Sequence, residues 1–538
     1  MRRLSILVST LWLFAALFPA LAVAQDRTTR YDVPMRDGVL LATDVYLPEG
    51  DGPFPVVLAR SIYNINGSKV FGLAFSSQGM AFVAQQTRGY YDSEGKDQAF
   101  TNDAWGEHPD GADCLKWLRD QSWCNGKIGT IGISALAISS QLLAGIGEPL
   151  DAQVIIVGAS QHYGALAYQG GVLRKSMVER WLQDQGSEHI IDEFKAHPSY
   201  DDYWKQFDVD ARVAQVSAPA LHIGGWWDIF GQSTLNSFVS RQEHGGESSR
   251  GSQHIVMGPW LHGAVREPGD LVLRENFNHD FNSDSFAFLR HHLFDDAPLD
   301  LPAVRYYTIG DVEDENAPGN EWRTADAWPP FDTAETPLYL AGSGALNEDA
   351  PDPLKLTYRY DPADPVPTHG GPNLVLPAGP FDQREVSGRS DVLAFQTEPL
   401  DVPIEITGRV TVRLFVSSTA PDTDFTAKLI DIYPNGREIL MLDGIQRLKF
   451  RDGFEQPNPL TPGEVGELEI DLWSISLIVN KGHRIGVQIS SSNFPRFEVN
   501  PNTGEDFPAE GGELYIAENT VHTGESYPSA ILLPVRPE

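Results

Sequence analysis

A chain of 538 residues, 41% hydrophobic and 10% aromatic, is too long for one compact core and too apolar to be disordered, so roughly two to four packed domains are expected. The formal net charge is -34, which leaves few cations to neutralise phosphates and excludes nucleic acid or an anionic lipid surface as partner. The acid excess reads as a solvated face that keeps the protein soluble, with a dedicated cationic partner as the alternative.

Residues 1–24 begin with Arg2 and Arg3, run apolar from Leu4 to Ala20, and carry Ala22 and Ala24 before Gln25. That is the layout of a cleavable secretion signal; the apolar run is short for a bilayer, and an uncleaved anchor is the alternative. No later segment is long and apolar enough to span. The expectation is an exported protein, periplasmic or secreted, with no stable membrane insertion.

Arg30 to Pro48 alternates about Arg36-Asp37-Gly38 and predicts an edge hairpin. Apolar runs follow at Pro55–Ala59, Met80–Ala84, Ile128–Ile133, Val154–Val157, Ala218–Ile223 and His254–Met257. Helix-like patterns separate them, such as Asp113–Gln121 with Cys114, Trp117 and Leu118 on one side. The alternation predicts an α/β fold with a mainly parallel sheet covered on both faces.

Cys114 and Cys124 are the two cysteines of the chain. In an oxidising compartment they could be bridged; closing a loop of about ten residues is worth roughly 2.5–3 kcal/mol before strain. The sequence leaves that pairing open. Two cysteines without neighbouring histidines do not make a metal site, so no metal and no cofactor are expected.

Residues 161–213 change to helical periodicity, with Trp181, Leu182, Ile190, Ile191, Phe194, Tyr203, Trp204 and Phe207. The segment interrupts the strand series where a cap over an active site would be inserted. Its aromatics read as the core of a small helical subdomain or as substrate contacts. Past Leu301 short alternating strands dominate: Val410, Val412, Leu414 and Val416, then a hairpin at Tyr433-Pro-Asn-Gly436, then Ile485, Val487 and Ile489. The expected organisation is therefore an α/β core over residues 25–160 and 214–300, a helical cap over 161–213, and an antiparallel β-sandwich over 301–538.

Three segments carry chemistry. Each follows an apolar strand: Lys127 to Ser134 (Lys-Ile-Gly-Thr-Ile-Gly-Ile-Ser), Gly224-Gly-Trp-Trp-Asp228, and Gly258-Pro-Trp-Leu-His262. In order they supply a serine, an aspartate and a histidine at the carboxyl ends of successive strands, as an α/β-hydrolase does. Gly132 permits the sharp turn that lifts the Ser134 hydroxyl from the sheet. His262 would take the serine proton, and Asp228 would hold the imidazole tautomer and stabilise the imidazolium. His254, the nearest competitor, begins an apolar run and reads as a strand residue. The N–H of Ala135 is the natural first donor to a carbonyl oxyanion. Tyr63 supplies a second donor or simply packs; the sequence alone allows both. Trp226, Trp227 and Phe230 flank Asp228 and suggest an apolar acyl pocket.

These residues resemble the cocaine-esterase group of serine hydrolases, which includes α-amino acid ester hydrolases, glutaryl-cephalosporin acylases and X-Pro dipeptidyl-peptidases. The resemblance rests on Arg60–Tyr63, Thr87–Gly95, Trp123–Lys127, the three segments above, Gly379–Arg384 and Ala420–Phe425. It implies an α/β-hydrolase core, a helical cap and a C-terminal jelly roll. It implies Ser134, Asp228 and His262 as the triad, Tyr63 with the Ala135 N–H as the oxyanion hole, and Phe230 in the acyl pocket.

Two departures stand out. Where the family has Gly-x-Ser-Tyr-x-Gly, this chain has Gly132-Ile-Ser-Ala-Leu-Ala137. The cap also looks short, and Gln161–Arg174 holds no carboxylate to meet a substrate ammonium, although Glu179, Asp184 and Glu188 follow. The expected function is hydrolysis of small-molecule carboxylic esters, with amides as a second class, through an acyl-enzyme. The alternatives are an X-Pro dipeptidyl-peptidase or cephalosporin-type acylase, and a non-catalytic glycan- or surface-binding protein. Homo-oligomerisation is compatible with the sequence and not read from it.

Overall fold

Thr28–Pro34 (β1) and Leu40–Tyr46 (β2) form the expected hairpin, antiparallel with Pro34 opposite Leu40. A computed structural model describes residues 28–98, 100–294, 298–509 and 511–537, so the leader expected over residues 1–24 lies outside the described residues. After the hairpin come Phe54–Ser61 (β3), Ala81–Gln86 (β4), Cys124–Ile133 (β5), Ala152–Ile156 (β6), the short pair Tyr168–Gln169 (β7) and Val172–Leu173 (β8), Ala220–Gly225 (β9) and Gln253–Gly258 (β10). Val304–Thr308 (β11) and Glu321–Ala325 (β12) complete the series that builds the first sheet.

That sheet has ten strands in the order β1-β2-β4-β3-β5-β6-β9-β10-β11-β12. From β4 to β11 every neighbour is parallel, and both ends are closed by antiparallel pairs. The continuous apolar runs follow from burial on both faces. Along β3, Val56 and Leu58 enter a core with Ile138 and Leu142 of the helix Ala135–Gly145. Val57 and Ala59 enter the opposite one, with Phe75 of Lys69–Ser77 and Phe288 of Phe281–Phe294. The period of two thus sends alternate residues of one strand under different helices.

The first sheet continues past residues 300/301, since Val304 pairs in parallel with Ile255 and β12 folds back on β11. The strands after Ala325 make an all-β region. Its strands form a seven-stranded and a four-stranded antiparallel sheet. The longest ladder joins Ile404–Ser418 to Gly466–Val479. Val410, Val412, Leu414 and Val416 meet Ile485, Val487 and Ile489 in the shared core. At the hairpin, Gly436 adopts φ +85° and donates to the Tyr433 carbonyl at 2.9 Å, a turn that disfavours a side chain.

Residues 161–213 are mainly helical, with Lys175–Gln185, His189–Lys195 and Asp202–Lys205, and they add the β7–β8 hairpin that periodicity did not reveal. Trp204, Phe194 and Phe207 pack with Tyr163 and Tyr168 and continue the core that holds Val56 and Leu58, so the segment has no separate core of its own. Cys114 and Cys124 are free thiols. Cys114 points from the helix Asp110–Arg119 into the core with Leu115 and Leu118, and burial pushes its thiol up to about 12. Cys124 starts β5 and accepts the Gly126 N–H at 3.3 Å instead. Among the described residues, no helix is long and apolar enough to cross a membrane.

Candidate active site

Ser134 sits between β5 and the helix Ala135–Gly145 with φ 55° and ψ −119°, a backbone state that costs a non-glycine residue of order 1–3 kcal/mol. The surroundings hold it there. Its N–H donates to Ile156 at 2.9 Å, and its carbonyl accepts from Ala137 and Ile138 at 2.9 and 3.0 Å. A Cβ at Gly132 would come within 2.3 Å of the Leu136 carbonyl oxygen, so the turn admits only glycine there. The extra methyl of Ala137 is accommodated by Gly158, where a Cβ would lie 2.5 Å from that of Ala137.

The loops after β9 and β10 are joined through their backbones. Trp226 N–H donates to Gly258 and Trp227 N–H to Trp260, each at 3.0 Å. A Cβ at Gly225 would meet the Trp260 carbonyl at 2.3 Å, so this close approach needs glycine. The consequence is that Asp228 and His262 face each other. Asp228 Oδ2 lies 2.5 Å from His262 Nδ1, and Oδ1 accepts the Phe230 N–H at 2.8 Å. The carboxylate is fully buried, while the imidazole retains 11% exposure. On its other side, His262 Nε2 lies 2.8 Å from Ser134 Oγ. With Nδ1–H donating to the carboxylate, Nε2 presents its lone pair to the serine hydroxyl.

Two groups that line the spaces beside the serine have an N–H or O–H to donate. The Ala135 N–H opens a helix and has no intrahelical acceptor, at the positive end of the helix dipole. The Tyr63 phenol accepts from Trp181 Nε1 at 3.3 Å, which leaves its own proton for another acceptor. Desolvation pushes that phenol up to about 12, so it stays a donor at neutral pH. The Tyr63 backbone is fixed as well, its carbonyl accepting from the Gln86 amide at 2.8 Å.

Ser134 opens onto two spaces. One is a cavity of about 510 Å³ that Tyr63, Tyr91, Trp181 and His262 line. The other is an apolar recess of about 20 Å³ between Ala135, Ile138, Leu166, Met177 and Phe230. Phe230 also meets the His262 ring edge-on at 5.8 Å.

Trp226 and Trp227 line neither space, which corrects the expectation that they form the acyl pocket. Their indole N–H groups donate to the carbonyls of Tyr307 at 2.7 Å and Met441 at 3.0 Å. Both rings lie in the core shared with the all-β region. The contributions of Leu166, Met177 and Leu374 were not legible in sequence, because no spacing ties them to the three segments.

A family model described as X-Pro dipeptidyl-peptidase (S15 family) matches residues 37–189 and 174–264. A second, the X-Pro dipeptidyl-peptidase C-terminal non-catalytic domain, matches residues 299–532. The chain is 34% identical to cocaine esterase of Rhodococcus sp. (strain MB1 Bresler), across 94% of this chain and 97% of that protein. Among solved structures it resembles an α-amino acid ester hydrolase with TM-score 0.81 and 27% identity, covering 97% of this chain and all of that one (100%). It also resembles an aminopeptidase from a marine sediment archaeon, Thaumarchaeota archaeon, with TM-score 0.83 and 27% identity over 96% and 98% of the two chains.

Proposed function

The chain belongs to the cocaine-esterase and X-Pro dipeptidyl-peptidase (S15) family of serine hydrolases, and from that premise we propose that it cleaves carboxylic esters with Ser134, His262 and Asp228 as its triad. The observation that carries this reading is the unbroken chain of contacts, 2.5 Å from Asp228 to His262 and 2.8 Å from His262 to Ser134.

As Ser134 Oγ attacks the carbonyl carbon, its proton passes to His262 Nε2 and the π pair moves to the carbonyl oxygen. The Ala135 N–H and the Tyr63 hydroxyl receive that oxyanion. The tetrahedral species collapses, the bond to the alkoxy oxygen breaks, and the imidazolium protonates the departing alcohol. Water then gives a proton to His262 and its oxygen bonds to the acyl carbon. Ser134 Oγ leaves with the proton from His262, and the carboxylic acid is released. Asp228 accepts the Nδ1–H of His262 and stabilises the imidazolium.

Residues 161–213 act as the cap, and the two antiparallel sheets form a jelly roll from which Leu374 reaches the spaces beside the serine. The leader over residues 1–24 supports export to the periplasm or outside the cell. The substrate is a small molecule.

Esters are favoured over peptides by the state of the carboxylates that the cap segment offers. Asp184, which lines the large cavity, is paired with Arg180 at 3.0 Å. Glu179 is held by Lys175 at 3.1 Å and Lys195 at 2.8 Å. Each already has a cationic partner, which weakens its pull on the ammonium of a dipeptide. The test compares kcat/KM on a p-nitrophenyl ester and an X-Pro p-nitroanilide. Faster turnover of the ester is expected; preference for the anilide would move the assignment to a dipeptidyl-peptidase.

A further inference from the structure

We infer that the site selects esters of short carboxylic acids with bulky, largely apolar alcohols; this rests on the ester-hydrolase reading and sharpens it to a substrate class. The two spaces that meet at Ser134 differ in size by more than an order of magnitude, about 20 and 510 Å³. Which half of the ester enters which space follows from where the proton must go.

The alkoxy oxygen receives its proton from His262 Nε2, so the alcohol lies on the side of Ser134 that His262 faces. His262 lines the large cavity and not the recess. The acyl group is attached to the same carbon and must leave on another side. The Ala135 N–H takes the oxygen, and the recess beside Ala135 and Phe230 takes the chain.

The recess is small because several elements close it at once. Ile138 comes from the helix behind the serine, Leu166 and Met177 from the cap segment, and Phe230 from the loop after Asp228; all are buried. A space of this size holds about one water-sized group, which fits the methyl of an acetyl group and excludes an octanoyl tail or a benzoyl ring.

The large cavity is faced by Phe71, Phe82, Tyr91 and Trp181 and has room for a fused bicyclic ring. Tyr91 stands at its mouth, 53% exposed with φ 47°. Asp184 and Arg180 on its wall carry opposite charges and pair with each other, so they add no net charge that would prefer an ionised alcohol. Trp181 and Leu374 line both spaces and form the partition between them.

The test is a matrix of kcat/KM values. 2-Naphthyl acetate is compared with 2-naphthyl octanoate and 2-naphthyl benzoate, and 2-phenylethyl acetate with ethyl acetate, whose leaving alcohols have similar basicity. Acetate is expected to exceed octanoate and benzoate by about tenfold or more, and the phenylethyl ester to exceed the ethyl ester by a similar factor. Met177→Ala, with Leu166→Ala as the second variant, widens the recess and should raise butyrate relative to acetate several-fold. Octanoate or benzoate turned over as fast as acetate, with Ser134 essential, would overturn the selectivity and leave the ester reading standing. No turnover of any ester, together with no phosphonylation of Ser134, would overturn both.

Discussion

Arg174 Nη2 donates to the carbonyl oxygen of Ile229 at 3.0 Å, so a buried cation of the mainly helical segment 161–213 holds the peptide that follows Asp228. The same guanidinium donates to the Ala165 carbonyl and lies 5.7 Å from the Trp473 ring of the all-β region. Burial pulls its pKa down to about 9, and it remains charged at neutral pH. Arg174→Met should cost about 1–3 kcal/mol through the two carbonyls left without a donor. Because its bond to Ile229 holds the peptide after Asp228, Arg174→Met should also lower kcat several-fold with KM little changed, and Arg174→Lys should restore most of it. Unchanged kcat in Arg174→Met would reduce Arg174 to a packing role.

Tyr63→Phe removes the phenolic donor and keeps the ring. Loss of one oxyanion donor lowers kcat by about 10²–10³, with KM little changed. Steady-state kinetics measures it, and unchanged near-UV circular dichroism shows that the fold survives. Activity within a few-fold of wild type would return Tyr63 to packing.

Ala137 and Gly158 are matched at the elbow. Gly158→Ala places a second methyl 2.5 Å from that of Ala137, and overpacking of this kind costs roughly 1–3 kcal/mol. Urea unfolding should show the loss in Gly158→Ala and partial recovery when Ala137→Gly is added. Simple addition of the two effects would contradict the contact.

Burial opposes a charge on His483, but hydrogen bonds to Asp311 at 3.2 Å and Asp431 at 2.8 Å outweigh it and raise the pKa from 6.5 to about 9. Because the folded value is the higher one, this stabilisation is complete below pH 6.5 and is lost as pH rises through about 9. The contact joins the segment after β11 to the all-β region. The difference in Tm between wild type and His483→Gln should be largest near pH 6 and shrink by pH 10. A difference independent of pH would refute it.

The strand-end segments around Ser134, Asp228 and His262 were readable because each combines an apolar run with a glycine at a turn, and both features are local. The sheet was readable for the same reason up to β10. Its extension through β11 and β12 was not, since Val304–Thr308 looks like any short strand until its parallel partner, Ile255–Met257, is known. Trp226 and Trp227 misled because adjacency to Asp228 in sequence does not fix the side to which an indole points. Their acceptors, Tyr307 and Met441, lie 81 and 214 residues downstream. The small recess beside Ser134 depends on side chains from four distant elements and has no sequence signature at all.

The most direct test of the triad is mass spectrometry of the intact, folded protein after treatment with an ethoxy fluorophosphonate, followed by peptide mapping. The prediction is a single adduct on Ser134, slowed strongly in His262→Ala and absent from Ser134→Ala. Labelling that persists in Ser134→Ala, or no labelling of the wild-type protein, would contradict it.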